Sequence, residues 1–284
     1  MGNKKTSSKT SKLMFSNCHA VVMIYMLVMF ILFPFFLTNY YGNARRDKFW
    51  FFVIATSVAA VILLFLLLFD FIKSKMNSSC AGLSQFEPFS ISISDIGIIS
   101  FFIATLISAL LASLSGGDFN VYFIGSNGRN MGVLAILMML LAYFMISRFF
   151  YCKKYVFLFV IFAMAIMSYI AIVNFYYFDP LNIFAQYKKS ESVILNFTST
   201  IGNKNYLSAM ICVALPFSIG LSLATNDKLT RILSYVSVAI QFMALIVATS
   251  DGGFLGCFIA IAVIFIVICK DFKKLSKLII CLAV

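Results

Sequence analysis

Eight apolar stretches separated by short polar breaks set the pattern of this chain. They cover residues 19–37, 49–72, 96–114, 131–147, 155–175, 206–224, 232–248 and 254–269. A helix needs roughly 20 apolar residues to cross about 30 Å of hydrocarbon, and most of these runs approach or exceed that length. The apolar residues are continuous within each run, without the alternation that marks a membrane β-barrel strand. Inside a bilayer, a helix satisfies all its own backbone N–H and C=O groups, so each run predicts a spanning helix. After a basic segment at 270–277, only seven apolar residues remain, 278–284. At 1.5 Å per residue these cover about a third of a bilayer. The expected fold is therefore all-α: a polytopic transmembrane helical bundle of about eight complete spans plus a truncated ninth. The chain is expected to be the N-terminal part of a longer protein that stops inside a span.

Composition points the same way. A mean hydropathy of +1.01, with 62% hydrophobic and 11% charged residues, excludes an ordinary soluble domain. Residues 1–17 form a cytosolic basic tail rich in Lys, Ser and Thr, and 18–284 form the transmembrane domain. Met1–Thr6 matches a myristoylation pattern, but a span follows so soon that a lipid anchor would add little. The first run is too long for a cleaved signal peptide and lacks a small-residue cleavage site.

Charge then sets the expected orientation. With the N-terminus inside, seven of the 22 Lys and Arg fall outside: Arg45, Arg46, Lys48, Arg129, Lys188, Lys189 and Lys204. The other fifteen fall inside, a bias that predicts a multi-pass plasma-membrane protein with a cytoplasmic N-terminus. The net charge of +12 is thus a topology signal, and no nucleic-acid partner is expected because no aromatic-interleaved basic groove accompanies it. Seven scattered cysteines, with no CxxC and no Cys/His cluster, predict neither structural disulfides nor a metal site. Two sequons occur: Asn77-Ser78-Ser79 on the inner side and Asn196-Phe197-Thr198 on the outer side.

Candidate chemistry is confined to the outer turns. Thr200-Ile201-Gly202-Asn203-Lys204-Asn205-Tyr206 leads directly into the sixth run. A helix starting there offers unpaired N–H groups and the positive end of its dipole, which favours an anion, although the same residues also suit a simple N-cap. The loop at 115–130 holds Gly116, Gly117, Gly125 and Gly128 around Asp118 and closes on Ser126-Asn127-Gly128-Arg129-Asn130. Glycines there permit close backbone approach to a ligand or to another segment. Arg129 beside a helix N-terminus is electrostatically unfavourable unless it shares an anion with the backbone amides, the alternative being interfacial snorkelling. Ser250-Asp251-Gly252-Gly253 is the third such turn, in which Asp251 either caps the next helix or binds a sugar hydroxyl. Arg45 and Arg46 before the second run fit interfacial anchoring as well as phosphate binding. Pro34 predicts a kink or stop in the first span. Gln241, in the middle of the seventh, predicts an interhelical hydrogen bond.

GSNGRNMG, TIGNKNY and SDGG, in this order and on one side, resemble the O-antigen ligase and polymerase superfamily of bacterial membrane glycosyltransferases over about residues 90–270. That resemblance implies transfer of a glycan from a polyprenyl-diphosphate carrier to a glycan, lipid or protein acceptor on the extracytoplasmic face, with no cofactor and no metal. It also implies that Arg129 holds the donor diphosphate and that Asn203 and Asn205 stand for the family's paired asparagines. The expected substrate-binding set is Arg129, Asn130, Asn203, Lys204, Asn205 and Asp251, with Arg45 and Arg46. Two departures stand out: Asp251 occupies a position where many members carry arginine, and His19, on the inner side, does not fit the role of catalytic base. No proton acceptor is identifiable. A transporter or flippase of a surface-polymer precursor is the main alternative, though the span centres carry almost no charge; an inactive scaffold for polymer assembly is a third.

Overall fold

A computed structural model describes residues 17–38, 42–76, 91–126, 129–151, 153–185 and 198–283. The basic tail up to residue 16, Asn127, Gly128, Lys188, Lys189 and the sequon asparagines Asn77 and Asn196 lie outside the described residues. Every regular element among the described residues is helical. In chain order these are α1 (Asn17–Phe35), α2 (Ala44–Met76), α3 (Ile93–Leu114), α4 (Phe119–Ile124) and α5 (Val133–Phe149). They are followed by α6 (Lys154–Phe175), α7 (Lys204–Ala224), α8 (Lys228–Ala248), α9 (Asp251–Ile268) and α10 (Phe272–Ala283).

Seven of these helices, α1, α2, α3, α6, α7, α8 and α9, are long and apolar enough to cross a membrane. At 17 residues α5 is apolar but falls just short of the same length. Large side chains such as Phe65 (67% exposed), Phe258 (71%) and Val267 (76%) stand on the helix surfaces, where only lipid or another apolar partner makes them tolerable. The chain is a helical multi-pass membrane protein. The basic segment at 270–277 is helical from Phe272 onward, and one amphipathic helix, α10, takes in most of it together with the apolar residues that follow. Its Leu278 and Cys281 are buried while Phe272, Ile279 and Ile280 are exposed.

The chain divides into two compact units. One joins the described residues of 17–29 with those of 48–151. Its core packs Cys18, Val22 and Tyr25 of α1 against Ala59 and Leu63 of α2 and Ala142, Met145 and Phe149 of α5. Tyr25 and Thr56 share a buried 3.0 Å hydroxyl contact across α1 and α2. Ser92 caps α3, and the Asp95 side chain returns a bond to the Ser92 N–H at 2.6 Å. Asp95 is buried because it also pairs with Arg148 at 2.5 Å and accepts from the Tyr143 hydroxyl at 2.9 Å. A buried carboxylate needs such partners, and these tie the start of α3 to the end of α5.

The second unit comprises the described residues of 30–47 and 153–283. Pro34 sits in a 3-10 turn, Phe33–Phe35, after a π-helical stretch, Val28–Leu32, and the chain is extended by Phe36. The proline thus stops α1, as its missing N–H and fixed φ require. Along α7 the buried residues Leu207, Ile211, Leu215 and Ile219 recur every four positions, forming the stripe around which α6, α8 and α9 pack. Gly253 lets α9 approach α7 closely: a Cβ there would lie 2.6 Å from the Ser208 Cβ. Thr225–Asp227 turns the chain from α7 to α8, with Asp227 capping α8 through the Thr230 N–H at 2.9 Å. Gln241 makes the expected interhelical bond, donating to Ser237 at 2.8 Å and to Ser218 of α7 at 3.0 Å.

Candidate functional site

One end of the second unit gathers the C-terminus of α6, the N-terminus of α7, the C-terminus of α8 and the N-terminus of α9. Four contacts hold it. Asn174 near the end of α6 accepts from the Ser199 N–H at 3.1 Å, while the Ser199 hydroxyl donates to the Met167 carbonyl at 2.8 Å. Ser250 donates to the Asn205 carboxamide oxygen at 3.2 Å, and Lys204 reaches the Thr249 hydroxyl at 3.5 Å. Two of the three sequence-predicted turns, TIGNKNY and SDGG, therefore meet, 45 residues apart in the chain.

Local chemistry explains the shape of each turn. Gly202 at φ 96° takes a backbone conformation open mainly to glycine, which turns the chain into α7. Asn203 then caps α7, its side chain accepting from the Asn205 N–H at 2.8 Å. Thr249 ends α8 in the left-handed region at φ 46°, a strained state for a β-branched residue. Asp251 is not the cap expected of it. Ser250 occupies that position and spends its hydroxyl on Asn205, leaving Asp251 exposed in the first turn, where the helix dipole favours a carboxylate.

The two helix N-termini thus lie side by side, bordered by Asn203 and Lys204, both half-buried, and by the exposed Asn205 and Asp251. In the loop before α7 the Thr198 and Thr200 hydroxyls are buried, with no hydrogen-bond partner among the described residues. Buried hydroxyls normally find one, so this end of the molecule has unused capacity for polar groups. Asp179, beyond the end of α6, accepts from the Phe184 N–H through one oxygen at 2.8 Å, while its other oxygen is buried and unpartnered. In the sequence Thr198 stands only as the end of a sequon and Thr200 as the first residue of TIGNKNY, with nothing to mark either hydroxyl as buried; Asp179, before Pro180, was legible only as a turn start.

The remaining predicted residues lie elsewhere. Arg129 and Asn130 belong to the first unit, in the turn between α4 and α5, with Arg129 exposed and Asn130 left-handed at φ 47°. Arg129 precedes the N-cap of α5, Gly132, by three residues, and its backbone N–H bonds the Ser126 carbonyl at 3.1 Å. Here the glycines serve approach of the chain to itself: a Cβ on Gly125 would sit 2.5 Å from the Met131 nitrogen, and one on Gly132 would strike the Phe123 carbonyl. Arg45 and Arg46 are exposed in the first turn of α2, beside Asp47, which accepts from the Thr38 hydroxyl at 2.6 Å. No group of three or more potential metal ligands occurs among the described residues.

No protein-family model, curated protein or solved structure matches the chain. What the fold defines is the class, a multi-pass helical membrane protein with a polar pair of helix N-termini at one end.

Proposed function

We propose that this protein acts as a bacterial cell-membrane glycosyltransferase of the O-antigen ligase/polymerase type. In this reading the paired N-termini of α7 and α9 bind the diphosphate-linked glycan of a polyprenyl donor on the extracytoplasmic face. The observation that carries it is the meeting of TIGNKNY and SDGG through Ser250 and Asn205, beside two unpartnered buried hydroxyls. Helix N-termini favour anions, and the exposed Asn205 carboxamide suits sugar hydroxyls. Orientation rests on charge. Between residues 153 and 283, the described basic side chains other than Lys204 lie at the opposite end, which makes that end cytoplasmic. Arg129, in the first unit, remains a donor-binding candidate through its motif alone.

Diphosphate departs readily, so the protein's tasks are to position the acceptor and offset charge on the leaving phosphates. Lys204 is the cation placed for the second task. Lys204→Ala is expected to weaken binding of a fluorescent polyprenyl-diphosphate monosaccharide by about tenfold or more, the value of a charge-assisted hydrogen bond. The same change removes a cation from the first turn of α7, so thermal stability without ligand holds or rises slightly. Unchanged donor affinity, or substrate uptake by vesicles without glycan transfer, would overturn the assignment.

A further inference from the structure

Along the flank of α6 and α8 lies an apolar slot of about 540 Å³. Phe159, Phe162, Ala165 and Ile166 of α6 form one wall, and Val236 and Ile240 of α8 the other. Between the two tyrosines at its ends, the polar side chain in the lining is Ser237, whose hydroxyl is used within the wall: it donates to the Ile161 carbonyl at 3.2 Å and accepts from Gln241 at 2.8 Å. The middle of the slot therefore offers a ligand dispersion contact and burial. Tyr155 and Tyr169 mark its limits along α6. The fourteen steps between them rise about 21 Å, more than the roughly 15 Å of hydrocarbon in one leaflet. A single acyl chain fits this length, whereas a partner helix, about 10 Å across, calls for a broad shallow face.

Charge identifies the headgroup. Tyr155 lines the slot near the start of α6, and the Lys153 ammonium stands 5.9 Å over its ring. Lys228, Lys270, Lys273 and Lys274 are exposed at the same end. We propose that this slot is a binding site for an anionic phospholipid, with one acyl chain between α6 and α8 and the headgroup phosphate on Lys153. Tyr155 serves as the interfacial hinge between chain and head, apolar on its face and polar at its tip. The site is independent of the glycan-donor reading.

Thermal unfolding of the delipidated protein in neutral detergent, titrated with phosphatidylglycerol or phosphatidylcholine of identical chains, tests it. Phosphatidylglycerol is expected to raise Tm at lower concentration than phosphatidylcholine. Lys153→Gln should reduce the advantage by about fivefold, the value of one basic residue at a lipid surface. Ala165→Trp fills the slot and should remove both the lipid effect and the lipid retained in native mass spectra. Lys153→Gln alters an exposed side chain and remains informative should the tryptophan variant fail to fold. Equal stabilisation of the parent by both lipids, or an undiminished preference in Lys153→Gln, would overturn the proposal.

Discussion

At the residue scale, two adjacent glycines illustrate how context decides the meaning of a residue. Gly252 faces open space, and a Cβ added to it meets nothing within 4 Å. Gly253 is buried, and a Cβ there would press on Ser208 of α7 at 2.6 Å and on Leu245 of α8 at 2.9 Å. Gly252→Ala is therefore expected to stabilise the protein by up to about 1 kcal/mol, through lower backbone entropy in the unfolded chain. Gly253→Ala should cost about 1–3 kcal/mol, the penalty for overpacking a close helix contact. Unfolding of the two variants in mixed micelles gives opposite signs if α9 lies where described, and equal signs if it does not. Both residues stand in SDGG, and the motif read as a ligand turn is half a packing device. Asp95 teaches the complementary lesson. It was unremarked in the sequence, yet it is a buried carboxylate held by Ser92, Tyr143 and Arg148.

At the element scale, the packing of α9 on α7 carries its own reporter. Cys212 and Cys257 looked unrelated along the chain, but their sulfurs lie 3.6 Å apart, and Cys212 also donates to the Gly253 carbonyl at 3.2 Å. Molecular iodine, which partitions into bilayers, is expected to link these two native cysteines in membranes, detected by mass spectrometry of the joined peptides. Absence of that link, with both thiols shown to be alkylatable after solubilisation, would contradict the α7–α9 contact. The start of α10 makes a pH-dependent prediction. The Lys274 backbone N–H, 3.2 Å from an Asp271 oxygen, and the Lys274 ammonium at 3.2 Å hold the Asp271 carboxyl below its ordinary value. A carboxyl lowered by folding stabilises the helix above its unfolded-state pKa, and that stabilisation is lost as pH falls through the folded value. After correction for intrinsic rates, hydrogen exchange in the first turn of α10 should therefore be faster near pH 3 than near pH 6. Asp271→Asn should remove the difference.

At the scale of the whole molecule, the testable quantity is sidedness. The charge-based topology expects the turn before α5 and the paired N-termini of α7 and α9 on one side of the membrane. In a background without native cysteines, Ser126→Cys, Asn205→Cys and Gly252→Cys are expected to react together with an impermeant maleimide added to intact cells. A variant at any of the three that reacts only after permeabilisation would remove it from the proposed donor site. The expected ordering of spans was legible because lipid imposes one rule on every segment: about twenty apolar residues, backbone satisfied internally. The short α5 and the helical α10 were harder to read because neither follows that rule cleanly, one being brief and the other having charge on a single face.

The amino-acid sequence by itself determined that this is a helical membrane protein, roughly where its apolar helices fall, and which turns are polar enough to hold chemistry. These follow from local composition, because hydrophobic length and helix capping act within a turn or two of the residue concerned. Tertiary structure alone decided that TIGNKNY and SDGG meet through Ser250 and Asn205, that Thr198 and Thr200 are buried without partners, and that Cys212 faces Cys257. Those depend on which helix faces interlock. Two apolar faces look alike in sequence until the small residues that admit close contact, Gly253 against Ser208, select one packing over the others.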